Sequence, residues 1–108
     1  MPSKLLLLFP SEKKLLADFG ERLRLARLRR HLSMEVVAER VGIARMTLHR
    51  AEQGSEAVSI GVYLRILGVL NLENDIALLA EDDKVGRRLQ DLALPTRKRA
   101  KKKDKEHA

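Results

Sequence analysis

Arg45, Met46, His49 and Arg50 stand at helical spacing between two glycines, Gly42 and Gly54. Residues one, four and five apart share a side of a helix, so these four form one basic surface. A guanidinium offers two parallel donors that match both acceptors of guanine in the major groove, and a methionine can press on a thymine methyl. The chemistry available is recognition of duplex DNA. Catalysis lacks its parts, because no nucleophile stands beside a base and Glu35 and Glu39, one turn apart, read as a solvated face. The chain has no cysteine, three histidines (His31, His49 and His107) and no acidic cluster on one face, which argues against a metal site. No cofactor or small-molecule ligand is expected.

Two elements must position that surface. In LSMEVVAERVGIARMTLHRAEQG, Leu32 to Gly54, Ser33 is a side-chain cap and Val37, Ala38 and Val41 recur at helical spacing until Gly42 makes the turn. Ile43 plugs inward. A second helix runs from about Ala44 to Gln53 with Leu48 and Ala51 on its inner face, and the small Ala38 lets the two helices cross closely. Helix, four-residue glycine turn and helix is the signature of a helix-turn-helix. Any two short amphipathic helices share the look. What lifts this pair above that is an amphipathic helix on either side and a basic outer face on the second helix.

Length bounds the rest: 108 residues make one domain, with about 80 that could share a core. Only 3% of residues are aromatic, so the core must be Leu, Val, Ile and Ala, as in a small helical domain. The net charge of +7 is unevenly placed: from Thr96 onward seven Lys/Arg face Asp104 and Glu106, a net +5, leaving about +2 for the body. Overall basicity is therefore partly a property of the tail. Absence of cysteine fits a reducing cytoplasm. The opening KLLLLF is too short for a secretory signal or a membrane span, so a cytoplasmic protein with no membrane partner is expected.

Along the chain, the apolar run from Lys4 to Phe9 ends at Pro10 and suits either a short strand or a plug, packed on its own domain or on a partner. Ser11 should cap a long helix to about His31, with Glu12 in its first turn. Leu16, Phe19, Leu23 and Ala26 make one stripe on it. Leu25, Leu28 and Leu32 lie on nearly the opposite side, flanked by Arg24, Arg27, Arg29 and Arg30, and a second stripe suggests an interface. Gly20 costs that helix about 1 kcal/mol against Ala and reads as a weak joint. Ser59 should cap a fourth helix ending near Leu70, buried through Ile60, Tyr63, Leu64, Leu67 and Leu70. Leu72 to Ala80 reads as a short helix capped near Asn71, with a strand as the alternative. Asp82 and Asp83 open a last helix to Leu94, stopped by Pro95. The remainder, TRKRAKKKDKEHA, is either a solvated terminus or a nonspecific arm for phosphate. The implied organisation is an apolar segment over 1–10, a helical domain with its extension over 11–94, and a basic tail over 95–108.

The run GERLRLARLRRHLSMEVVAERVGIARMTLHRAEQG resembles the Xre family of helix-turn-helix regulators, which includes phage repressors. The resemblance covers about Phe19 to Leu70. It rests on FGERLR, the LS before the first motif helix, VAERVGI, R-x-T-L-x-R-x-E-x-G and the Ser-capped helix that follows. It implies an all-α fold, a lambda-repressor-like DNA-binding domain of five to six helices, here with a basic disordered carboxy-terminal tail. Further on, SIGVYLRILGVLNLENDIALLAEDDKVGRRLQDLALP looks like the carboxy-terminal half of HipB-type antitoxins, partners of HipA-like serine/threonine kinase toxins.

Carried over by position, the resemblance puts Ala44, Arg45, Met46 and Arg50 at base edges. Thr47, His49 and Gln53 fall near phosphates, together with Ser33 and Met34 at the start of the first motif helix. Arg45 is the leading candidate for direct readout, while Arg50 suits a base or a phosphate. Family members commonly carry a phosphate-clamping glutamine where this chain has Met34, so backbone amides must serve there. Arg27 and Glu52 match the family's internal ion pair. His31 stands where a glycine is usual.

These features imply a repressor, not an enzyme, that binds a palindromic operator as a homodimer, and the antitoxin and autoregulator of a HipBA-like operon with a HipA-like kinase as partner. The candidate partner surface is Leu5, Leu6, Leu7, Leu8 and Phe9 with Leu25 and Leu28. A free-standing regulator, or an adaptor that neutralises a kinase by contact alone, are the competing readings. In the cell the chain would sit on the nucleoid when bound to its operator.

Overall fold

A computed structural model describes residues 6–93, and all regular structure among them is helical. Helix α1 spans Pro10–Arg29, α2 Met34–Val41, α3 Arg45–Glu52 and α4 Ile60–Val69; a 3-10 helix follows over Glu73–Leu78 and α5 over 84–93. The chain falls into two units, one up to Ile76 and one from Ala77 onward. Leu5, the end of the last helix at Leu94 and the basic tail of 95–108 lie outside the described residues.

In the first unit α2 packs on both α3 and α4, and α1 packs on α3. The core they enclose is Leu23 and Ala26 from α1, Val37, Ala38 and Val41 from α2, Leu48 and Ala51 from α3, and Tyr63, Ile66, Leu67 and Leu70 from α4 and its end. Phe19 lies half-buried against it, its ring 5.3 Å from that of Tyr63. The Tyr63 hydroxyl donates to the Ser55 carbonyl at 2.7 Å, anchoring the α3–α4 loop. Burial pushes its pKa up to about 12, with a smaller contribution from Glu56.

Caps explain where most helices begin. The hydroxyls of Ser33 and Ser59 accept from the amides of Val36 and Val62, as expected of serine at a helix start. Helix α1 departs from expectation: its cap is Phe9, Pro10 is the first helical residue, and Ser11 lies inside. Pro10 loses nothing there because that amide has no partner within a helix. The Glu12 carboxylate accepts from the Phe9 amide at 3.0 Å.

The four α-helices of the first unit all end at a residue in the left-handed region, His31, Gly42, Gly54 and Asn71, with φ of 55°, 88°, 73° and 62°. After α1 the His31 and Leu32 amides return to the carbonyls of Leu28 and Arg27, and Asn71 and Leu72 repeat the pattern after α4 with Gly68 and Leu67. This termination satisfies the carbonyls that a helix end would otherwise leave open. It also corrects the sequence reading of Leu32. Once the chain turns at His31, Leu32 leaves the second stripe of α1 and packs half-buried on the core.

Three further expectations change. Gly20 is no weak joint: it is buried where α1 crosses the end of α3, and a Cβ there would lie 2.5 Å from the Gly54 nitrogen and 2.7 Å from two carbonyl oxygens of α3. Glycine lets two backbones meet, which outweighs its cost in helix propensity. On α4, Ile60 and Leu64 are exposed and Ile66 takes the core position, because the face that meets α2 passes through Tyr63, Ile66, Leu67 and Leu70. The stretch read as helix or strand is the 3-10 helix, which begins just past the left-handed Asn71.

In the second unit the Asp83 carboxylate accepts from the Gly86 amide at 2.9 Å and starts α5. Val85, Leu89 and Leu92 on that helix are exposed.

Candidate nucleic-acid interface

The recognition surface is built on α3. Its inner residues Leu48, Ala51 and Glu52 are buried, which dictates that Arg45, Met46, His49 and Arg50 point outward, and all four are exposed. The Gly42 turn sets the approach of α3 to α2: its amide and that of Ile43 both donate to the Ala38 carbonyl, at 2.8 and 3.0 Å. Ile43 packs half-buried on the core. Ala44 is the cap of α3, exposed and with no side-chain hydrogen bond, at the edge of the same surface.

A buried ion pair holds α3 on α1. The Arg27 guanidinium donates through Nε and Nη2 to the two Glu52 oxygens, at 2.7 and 3.0 Å, and through Nη1 to the Leu32 carbonyl at 3.1 Å. Their side chains are 9% and 4% exposed. The hydrogen bond to Glu52 raises the Arg27 pKa above its ordinary value against the opposing effect of burial, so the guanidinium stays charged. A two-pronged contact restricts rotation of one helix against the other as well as their separation.

The remaining candidates are spread around this frame. Ser33 has its hydroxyl occupied by the Val36 amide, so its own part in phosphate contact would fall to backbone. Met34 is half-buried against the core, a packing residue in place of a polar clamp. Thr47 is half-buried and lines, with Arg50, Ser55, Glu56 and Ser59, an open cleft between α3 and the α3–α4 loop. His49 and Gln53 are exposed at the end of α3. Of the apolar candidates, Leu6, Leu7 and Phe9 are exposed and Leu8 is half-buried, while Leu25 and Leu28 on α1 are 38% and 43% exposed.

Sequence reasoning missed one contact on the recognition surface. Glu35, on the first turn of α2, forms an ion pair with Arg45 on the first turn of α3, Oε2 to Nε at 3.0 Å. Nothing in the spacing of Glu35 and Glu39 announces it, since the partner lies across the turn.

Among the described residues no group of His, Asp or Glu is arranged to hold a metal, and no helix is long and apolar enough to cross a membrane. Buried Leu48 and Ala51, a left-handed glycine turn and an exposed basic second helix together define a helix-turn-helix DNA-binding module. The chain belongs to the helix-turn-helix domain family, whose model matches residues 18–80, more than half of its length. It is thus a regulator of the DNA-binding class. No curated protein sequence matches it.

Proposed function

We propose that this chain is an Xre-type transcriptional repressor that binds a palindromic operator as a homodimer, with Arg45 as its principal base-reading residue. The observation that carries the reading is the division of α3: three buried residues lock its inner face while Ala44, Arg45, Met46, His49 and Arg50 stay exposed along its outer one. Two copies placing this helix in successive major grooves would span half-sites about 34 Å apart, roughly one turn of the duplex. Arg50 serves as a second base or phosphate contact, and Ser33, Met34, Thr47, His49 and Gln53 follow the backbone. Selection from a pool of randomised duplexes tests this. The native chain should enrich a two-fold symmetric consensus, and Arg45→Ala should erase the preference at one base pair per half-site, a loss of about 1–3 kcal/mol each. Enrichment of no consensus would defeat the reading.

The finer proposal is that the chain is the antitoxin and autoregulator of a HipBA-like operon, bound to a HipA-like kinase. Leu25 and Leu28, exposed on α1 amid arginines, support a protein contact in addition to DNA. If that is their role, replacing both with Glu should disturb self-association or kinase capture in sedimentation while helicity is kept. Unchanged assembly would favour a free-standing regulator.

A further inference from the structure

The contact between Glu35 and Arg45 is placed where a stabilising bond would be wasted and a positioning bond would count. Their side chains are 69% and 62% exposed, so water and salt screen the attraction. Both residues sit on the first turns of their helices, at the end of the helix pair where α3 begins. Glu35 meets the guanidinium at Nε. The contact is an ion pair without a directed hydrogen bond, and no acceptor among the described residues takes a hydrogen bond from Arg45, so its two terminal nitrogens remain available as a parallel pair of donors.

We infer that Glu35 is a specificity-determining positioning residue: it orients Arg45 so that the free fork meets the two acceptors of guanine, and it opposes capture of Arg45 by backbone phosphate. The inference rests on the base-reading role of Arg45 proposed above. An unrestrained arginine at a duplex surface has many phosphate oxygens in reach and only one guanine edge. A carboxylate at Nε biases that competition in two ways. It removes rotamers from a flexible side chain, and its charge repels phosphate approaching from the same side. Glu35 therefore lowers general affinity for DNA and raises discrimination. Lysine at position 45 would keep the charge but lack the fork.

An acid in the first turn of α2 also favours the helix dipole, and that role alone would leave base preference untouched. The two roles separate in selections from the randomised duplex pool, paired with titrations against one fixed random duplex over a salt series. For Glu35→Gln we expect guanine preference at the Arg45 position to fall about two- to fivefold per half-site, the range an exposed pair supports. Affinity for the random duplex should rise, and its log–log salt slope should steepen by up to about one unit as Arg45 turns to phosphate. If Arg45→Ala flattens that position while Glu35→Gln leaves it as in the native chain, Glu35 is only a dipole residue and the inference fails alone. If Arg45→Ala leaves the native consensus unchanged, the base-reading role fails and takes this inference with it. Circular dichroism of both variants checks that the fold persists.

Discussion

Among the described residues the same chemical pair occurs twice, an arginine facing a glutamate across two helices, in opposite surroundings. Arg27 and Glu52 are buried at 9% and 4% exposure and bond through both carboxylate oxygens; Arg45 and Glu35 are more than half exposed and meet at one nitrogen. Burial turns the first into a constraint, since either partner left alone would be an unpaired charge out of water. Exposure leaves the second replaceable, since water or phosphate can take the place of either partner. The difference teaches that α3 is held by its inner, carboxy-terminal end and left free to engage a ligand at its outer, amino-terminal one.

The sharpest way to break the contrast is Glu52→Ala. It strands the Arg27 guanidinium in the core and should cost about 3–5 kcal/mol, measured as the loss of unfolding free energy in urea. A loss below about 1 kcal/mol would mean the buried pair is as dispensable as the exposed one. Next in size is Gly20→Ala, which pushes a methyl into the backbone of α3 beside the same ion pair. Its gain in helix propensity of about 1 kcal/mol is outweighed by overpacking, and a net loss of about 2 kcal/mol is expected by thermal unfolding. A neutral or stabilised variant would restore the weak-joint reading of Gly20.

His31 sits at the far end of this region, where its left-handed backbone brings the Leu32 carbonyl to Arg27. Replacing it by glycine relieves a conformation that costs an L-residue about 1–2 kcal/mol, less the greater entropy glycine loses on folding. His31→Gly should therefore raise stability by up to about 1 kcal/mol, read as a higher urea midpoint. The smallest effect belongs to the exposed pair: a double-mutant cycle on Glu35 and Arg45 in the absence of DNA should give a coupling of about 0.2–1 kcal/mol. A coupling near that of Arg27 and Glu52 would erase the distinction between the two pairs.

What was legible beforehand follows from how local each signal is. Ser33, Ser59 and Gly42 announce caps and a turn because their partners are amides or carbonyls within four residues. The outer face of α3 is legible because period and polarity agree over one short helix. Ser11 misled because Glu12 and Pro10 together make an earlier start that a serine rule does not anticipate. Ile60 and Leu64 mislead because an almost wholly apolar helix carries no polar face to orient it, and Ile66 does not stand out as a core residue for the same reason.

By itself, then, the order of residues determined that the chain is helical, where α2, α3 and α4 begin and turn, and which side chains of α3 face outward, since all of these depend on neighbours along the chain. The pairing of Arg27 with Glu52 came from family resemblance and not from spacing. Only the tertiary structure decided that Gly20 must be glycine, that Leu32 joins the core and that Glu35 lies against Arg45. Each of those is a meeting of segments ten or more residues apart, or hangs on how the chain turns out of a helix, and no periodicity within one helix encodes what the next helix brings to it.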